Sequence, residues 1–376
     1  MQSLEDRRLR SNPDLDFIAV ADLSAKRRRA LEANVGKDIC GLLHHRRASS
    51  WEIALDHDTA RLHHALLKPQ VGRSVLQGQP PERRFRVLAR LVCDQLLQVE
   101  RDDGRFVDGI AAHPVLFGGD AEPGLSDRLD RLSRAALDHA AAVNSRSSTA
   151  LARRLYTHNA LPLTRRWHER LADVQCWLGL DRLGWPQRLS DHYVAPEAPS
   201  GGAPWLQWTR RGSGQEADRR RKIYVSPLPA QLAEVLAVVA ETCRALEVPA
   251  FKVGATPFGV LRPDKLVVYP GSRTQLRRVA EELGRALDDV DAQGVPFTAP
   301  LGTGALLSWA IDPGDRVSVG RGASWRIAVS EGLAATIARA QGQASPPEIV
   351  EFALQRLRLD DIDPIGWRAS GGEGVT

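Results

Sequence analysis

Of 51 basic residues in this sequence only six are lysine, and three of them, Lys222, Lys252 and Lys265, fall within one short stretch. The distinction is chemical. A guanidinium stays charged, whereas a lysine amine can be brought to lose its proton near neutrality when burial or a neighbouring cation disfavours the ammonium. Lys222 stands in the run Lys222-Ile223-Tyr224-Val225-Ser226, Lys252 in AFKVG (250–254), and Arg262 and Lys265 in LRPDK (261–265). Two ammonium groups and a guanidinium can neutralise a phosphate or a carboxylate, the guanidinium through a bidentate contact. A desolvated lysine among other cations can also act as a general base. The bland counterpart is the solvated polar face of an antiparallel sheet, whose lysines serve structural ion pairs.

The elements that must position these residues are legible as alternation. KIYVS reads as a strand with period two, and AFKVG as a second. Side chains alternate between faces, so Ile223, Val225, Phe251 and Val253 go to the core while Lys222, Tyr224, Ser226 and Lys252 share the other side. LVVY (266–269) is a third strand, leaving through Pro270-Gly271, and LLSWAI (306–311) and WRIAV (325–329) read as later ones. Pro229 opens a helix with a core face of Leu232, Val235, Leu236, Val239, Cys243 and Leu246, and a second helix carries Leu276, Val279, Leu283 and Leu287. This order predicts a small, mostly antiparallel sheet with both helices on one face. The run QGVPFTAPLG (293–302) reads as a rigid loop closing over the sheet, and VGRG (319–322) as a turn.

The first half reads as helical. Apolar residues recur at helical spacing over 82–99, 126–142 and 148–158, and from Thr164 to about Gly179. APEAPSGGAP (195–204) is the clearest break, and 210–222 reads as a hairpin-like loop after a strand at Trp205–Trp208. The expected class is therefore α+β. A helical domain over 1–194 precedes a small α/β sandwich over 205–340, then a terminal helix and a flexible tail, ASGGEGVT, over 341–376.

Composition narrows the function classes. The 376 residues are 43% apolar, enough for two ordinary domains, with no apolar run approaching a membrane span and a charged N-terminus unlike a secretory signal. A cytoplasmic, reduced protein is expected, because the four cysteines, Cys40, Cys93, Cys176 and Cys243, are scattered and form no CxxC pair. The net charge of +5 is too small and diffuse to indicate nucleic acid. All ten histidines lie at or before His192. The patch His44-His45, Asp56-His57-Asp58 and His63-His64 fits no single metal spacing and reads as a solvated surface, so no metal is expected. GxSxG, Walker A, HExxH and strand-linked GxGxxG motifs are absent.

KIYVS, then a helix, then AFKVG, then LRPDKLVVYP resembles the order found in phosphothreonine lyases, which occur as bacterial type III effectors and as lyase domains of class III and class IV lanthipeptide synthetases. The resemblance covers about residues 220–312. It implies that Lys252 is the base removing the α-proton of a phosphorylated Ser or Thr, and that Lys222 holds the phosphate with Arg262 and Lys265. Tyr224 stands where the family carries its general-acid histidine, so either the phenol substitutes, a histidine from the first half reaches in, or the domain binds without catalysing. The implied activity is elimination of phosphate from a peptide to give a dehydroamino acid, with no cofactor. A peptide or protein substrate and a partner kinase are the implied partners, and a peptide natural-product (lanthipeptide) pathway the implied setting. The counterpart from another class is a non-catalytic module that grips a phosphorylated or acidic peptide. No oligomeric state is read from the sequence.

Overall fold

In a computed structural model of the chain, residues 4–35, 38–46, 48–118, 128–180, 189–194, 204–212, 220–313 and 324–369 are described. They fall into two compact units, Met1–Glu122 with Gly342–Leu359, and Pro123–Gln341 with Asp360–Thr376. The expected boundary near 194 is thus replaced by one near 122. Most of the expected break at 195–204, the centre of the 210–222 loop, the turn at 319–322 and nearly all of the tail lie outside the described residues.

The first unit is not purely helical, which corrects the expectation for 1–194. It contains strands β1 (Arg8–Ser11), β2 (Leu15–Ala19), β3 (Gly41–His45), β4 (Ala48–Leu55), β5 (Gln70–Val71), β6 (Leu97–Glu100) and β7 (Phe106–Val107). These make two small sheets, ordered β5-β1-β6-β7 and β2-β3-β4. The helix expected over 82–99 runs only from Pro81 to Cys93. Gln95 then adopts a left-handed φ of 64°, which ends the helix and turns Leu97–Glu100 into β6 beside β1. Leu97 and Val99 suit either period, so the sequence alone favours neither. His44 and His45 lie on β3, and Asp56 caps the helix His57–Ala65 by accepting from the Thr59 amide. Among the described residues no group of three or more His, Cys, Asp or Glu is placed to hold a metal.

The segment expected as one terminal piece, 341–376, is divided between the units. Its helix, Pro346–Arg358, begins with a Ser345/Glu348 capping box and buries Ile349, Val350, Phe352 and Ala353. It belongs to the first unit, where Arg356 grips both carboxylate oxygens of Asp94 at 3.0 and 2.8 Å. From Asp360 the chain is part of the second unit.

The second unit holds a seven-stranded sheet of β8 (Tyr193–Val194), β9 (Trp205–Arg210), β10 (Arg221–Val225), β11 (Ala250–Gly254), β12 (Leu266–Tyr269), β13 (Ala299–Pro300) and β14 (Leu307–Ile311). Its order is β13-β14-β10-β12-β11-β9-β8, and every neighbouring pair is antiparallel. The chain is an α+β protein, as expected. β9 and β10 are not a hairpin, because β11 and β12 lie between them. Helices Leu232–Ala245 and Arg273–Ala286 cover one face. There Ile223, Val225, Phe251, Val253, Leu266, Val268, Trp208 and Trp309 join Val235, Val239, Leu276, Val279 and Leu283 in one core. Ser272 caps the second helix by accepting from the Gln275 amide.

The strand expected at Trp325–Val329 is instead the start of a helix, Trp325–Ala340. A five-residue apolar run has no period that separates a strand from a buried helix. Most of this helix is buried, with Trp325, Arg326, Ala328, Val329, Leu333 and Ile337 inside and Glu331 exposed, so no continuous polar stripe marked it. No helix among the described residues is long and apolar enough to cross a membrane.

Candidate functional site

The face of the sheet turned from the core carries the lysines. Register fixes which residues stand side by side. Tyr224 on β10 and Lys252 on β11 both pair with Val267 of β12, one from each side. They therefore share a face two strands apart, roughly 10 Å between backbones at the usual interstrand spacing. Lys222 extends the same face of β10, and Gln207 of β9 lies beside Lys252 on its other flank. The alternation read from KIYVS and AFKVG is thus the alternation found, with β12 inserted between the two.

A tight turn brings the loop residues to this face. After β11 the helix Pro257–Leu261 folds back so closely that a Cβ on Gly254 would stand 2.4 Å from the Gly259 carbonyl carbon. Only glycine permits that approach, and it sets Arg262 and Asp264 at the entry to β12. Thr256 secures the turn by accepting from the Gly259 amide at 3.0 Å.

Asp264 is the centre of a buried charge network. Arg262 donates to it through Nε at 2.9 Å and Nη2 at 2.7 Å, and Arg326 lies 2.8 Å from the same carboxylate. Tyr156, from the helix Ser148–Thr157, donates its hydroxyl to Asp264 at 3.2 Å and accepts from Arg262 at 2.7 Å. Its ring lies 5.1 Å from the Arg262 guanidinium and 4.6 Å from that of Arg326. Burial opposes ionisation of Asp264, but Arg326 and Arg262 outweigh it and hold the carboxyl well below the usual carboxylate range. Burial likewise works against the Arg262 charge, and Asp264 more than offsets it. The guanidinium is held by Nε and Nη2, which leaves Nη1 outside these bonds.

The three lysines have three different fates. Lys222 forms an ion pair with Asp312 at 2.5 Å and lies 5.9 Å from the Tyr269 ring. Lys252 has no carboxylate partner or hydrogen bond among the described residues. Its amine lies over the Trp205 indole at 4.3 Å and near the Tyr269 ring at 5.4 Å. Burial, with the charges of Lys222 and Arg262, brings its pKa down to about 8 against weaker opposition from Asp264 and Asp312. Lys265 is fully buried and donates to the Pro227 carbonyl at 2.8 Å and to Gln293 Oε1. It is therefore not available to an anion, which corrects its expected role. Its place just before β12 turns it toward the 227 and 293 loops, where it ties them together.

The Tyr224 ring is buried, and burial pushes its phenol well above the ordinary tyrosine value. The first half contributes Tyr156 to the site rather than a histidine. His158, two residues on, is turned to His139, 6.4 Å between ring centres. Sequence reading missed Tyr156, Asp264, Arg326 and Trp205. Asp264 stood in the quoted LRPDK and carried a signal as the acidic residue between two bases. The others carried none, since their partners lie far off in sequence.

The fold and site together define an α+β protein with an amine that has no ion-pair or hydrogen-bond partner among the described residues, an anchored guanidinium and an aromatic floor on the polar face of an antiparallel sheet. No family model and no curated protein matches the sequence. Among solved structures it is similar to an effector protein from Pseudomonas syringae pv. syringae strain 61, at 14% identity and a TM-score of 0.38, covering 64% of this chain and 99% of that one. It is also similar to the phosphothreonine lyase OspF from Shigella flexneri, at 10% identity and a TM-score of 0.27, covering 31% of this chain and 69% of that one. The phosphothreonine lyase SpvC from Salmonella follows at 15% identity and a TM-score of 0.26, covering 32% and 68%. The chemistry of the site rests on its own geometry.

Proposed function

We propose that this protein is a carbon–oxygen lyase of the phosphothreonine lyase type, eliminating phosphate from a phosphorylated Ser or Thr in a peptide. The observation that carries the reading is the placement of Tyr224 and the unpaired amine of Lys252 on either side of Val267. Lys252 takes the α-proton of the substrate. The electrons of that C–H bond form the Cα=Cβ double bond, the Cβ–O bond breaks, and the phosphate leaves with a proton on its bridging oxygen. Tyr224 donates that proton. A phenol whose pKa is raised by burial stays protonated through the working range, and the charge that builds on the leaving oxygen as the Cβ–O bond breaks draws its proton across. Lys222 and the free edge of Arg262 neutralise the phosphate. A base, an acid and charge neutralisation suffice for this elimination, so the proposed chemistry uses no cofactor. A peptide natural-product pathway, a partner kinase that supplies the phosphate, and a cytoplasmic setting fit a substrate of this kind.

A second reading, a module that binds a phosphorylated or acidic peptide without turning it over, is favoured by one observation. Tyr224 is a phenol, and its burial makes it a weaker acid than a phenol in water, which is itself weaker than an imidazolium. Incubating the protein with phosphothreonine and phosphoserine peptides and weighing the products separates the two. Loss of phosphoric acid is the expected result. Unchanged peptides that nonetheless bind would leave the module reading, and loss of HPO3 alone, the signature of hydrolysis, would exclude both.

A further inference from the structure

The Trp205 indole is shared. Lys252 Nζ lies 4.3 Å from its centre and the Arg262 guanidinium carbon 5.2 Å from it. Trp205 opens β9, pairs with Gly254 at the end of β11, and is half-buried, so backbone hydrogen bonding fixes where the ring sits. The base and the phosphate clamp come from different segments, one on β11 and one in the loop before β12, and the indole touches both. We propose that Trp205 is the positioning residue of this site, one ring carrying both the Lys252 amine and the Arg262 guanidinium and so fixing how the base and the anion clamp stand to each other. The proposal deepens the lyase reading and takes its meaning for turnover from it, but its physical content does not depend on turnover.

An ammonium over an indole face is stabilised by the ring quadrupole, and most strongly when it is desolvated. The groups that face the Lys252 amine are Lys222 and Tyr224 from β10, Tyr269 from β12, Gln207 from β9, Arg262 and Asp264 from the loop, Asp312 after β14, and Tyr156 and Arg326 beyond them. Of the charges that bear on it, Lys222 and Arg262 disfavour the ammonium and Asp264 and Asp312 favour it. Beside them the indole acts in favour of the cation alone. Its removal makes the ammonium harder to hold, so the amine loses its proton at lower pH.

With only six lysines in the chain, lysine labelled with carbon-13 at the ε position gives a readable titration in the full-length protein. The Lys252 signal is identified by its loss in Lys252→Arg. In the wild type its ε-methylene protons are expected upfield of those of exposed Lys26 and Lys68, through the ring current of Trp205. In Trp205→Leu that displacement disappears and the Lys252 midpoint falls by about one pH unit, with Trp205→Phe between the two. An undisplaced wild-type signal, or a midpoint that ignores the substitution, overturns the proposal. If Trp205→Leu does not fold, the wild-type displacement decides. Displaced signals together with intact phosphopeptides would keep the positioning role and remove the lyase reading, and elimination with an insensitive Lys252 would do the reverse.

Discussion

The two ends of the polar face of the sheet are built on opposite terms. At the inner end Asp264, Arg262, Arg326 and Tyr156 form a closed set of charges and hydrogen bonds, with Arg326 only 1% exposed. At the outer end Lys252 is half-buried and rests on aromatic rings, with no carboxylate among the described residues to hold its charge. Arginine and a paired carboxylate keep fixed charges, which suits a frame. A lysine stripped of partners keeps an adjustable proton, which suits a base. The contrast teaches that the cluster of lysines is not one feature. Lys265 belongs to the frame, hydrogen-bonded to Pro227 and Gln293 while burial brings its pKa down to about 7; Lys222 is paired with Asp312; and Lys252 is the one of the three with neither an ion pair nor a hydrogen bond among the described residues.

Breaking the inner end carries the largest expected cost. Asp264→Asn leaves two buried guanidinium groups without their counter-charge, and a loss of about 3–5 kcal/mol in unfolding free energy is expected. Denaturant unfolding measures it. Because the folded-state pKa of Asp264 is lowered, the stability it provides is present in full above its ordinary value of 3.8 and is lost only as pH falls below that. The wild type should therefore outlast Asp264→Asn at neutral pH, with the difference shrinking in acid.

Removing the proton donor should cost less in energy and leave the fold alone. Tyr224→Phe is expected to slow elimination by about 10²-fold or more, read as kcat on a phosphothreonine peptide, with binding of that peptide retained. The smallest effect sharpens the outer end. The elimination rate should rise with pH through about 8, as Lys252 loses its proton. In Lys222→Gln a neighbouring cation is removed and Asp312 is freed, and both changes favour the Lys252 ammonium. The rise should then move to higher pH by less than about one unit, which a pH–rate profile resolves.

How much of this was legible follows from distance along the chain. Period-two alternation in KIYVS and AFKVG is local, and it placed Lys222, Tyr224 and Lys252 on one face without any knowledge of the sheet order. That β12 lies between the two strands, so that Tyr224 and Lys252 flank Val267, is a matter of long-range pairing that no short motif records. The frame was hidden for the same reason. Tyr156 reaches Asp264 across 108 residues of chain, and Arg326 reaches the Tyr156 carbonyl across 170. Arg326 also sat inside a run whose five residues fit a strand and a buried helix equally well. The strands of the first unit are short and mix charged with apolar residues, so helical spacing nearby dominated the reading.

The most direct test compares the wild type with Lys252→Ala on a phosphothreonine peptide, following product mass and thermal melting together. The account predicts that elimination is lost while the melting temperature stays within a few degrees, because the Lys252 amine supports no ion pair or hydrogen bond among the described residues. Turnover that survives in Lys252→Ala would contradict it, and would mean that the Lys252 proton is not the one the chemistry uses.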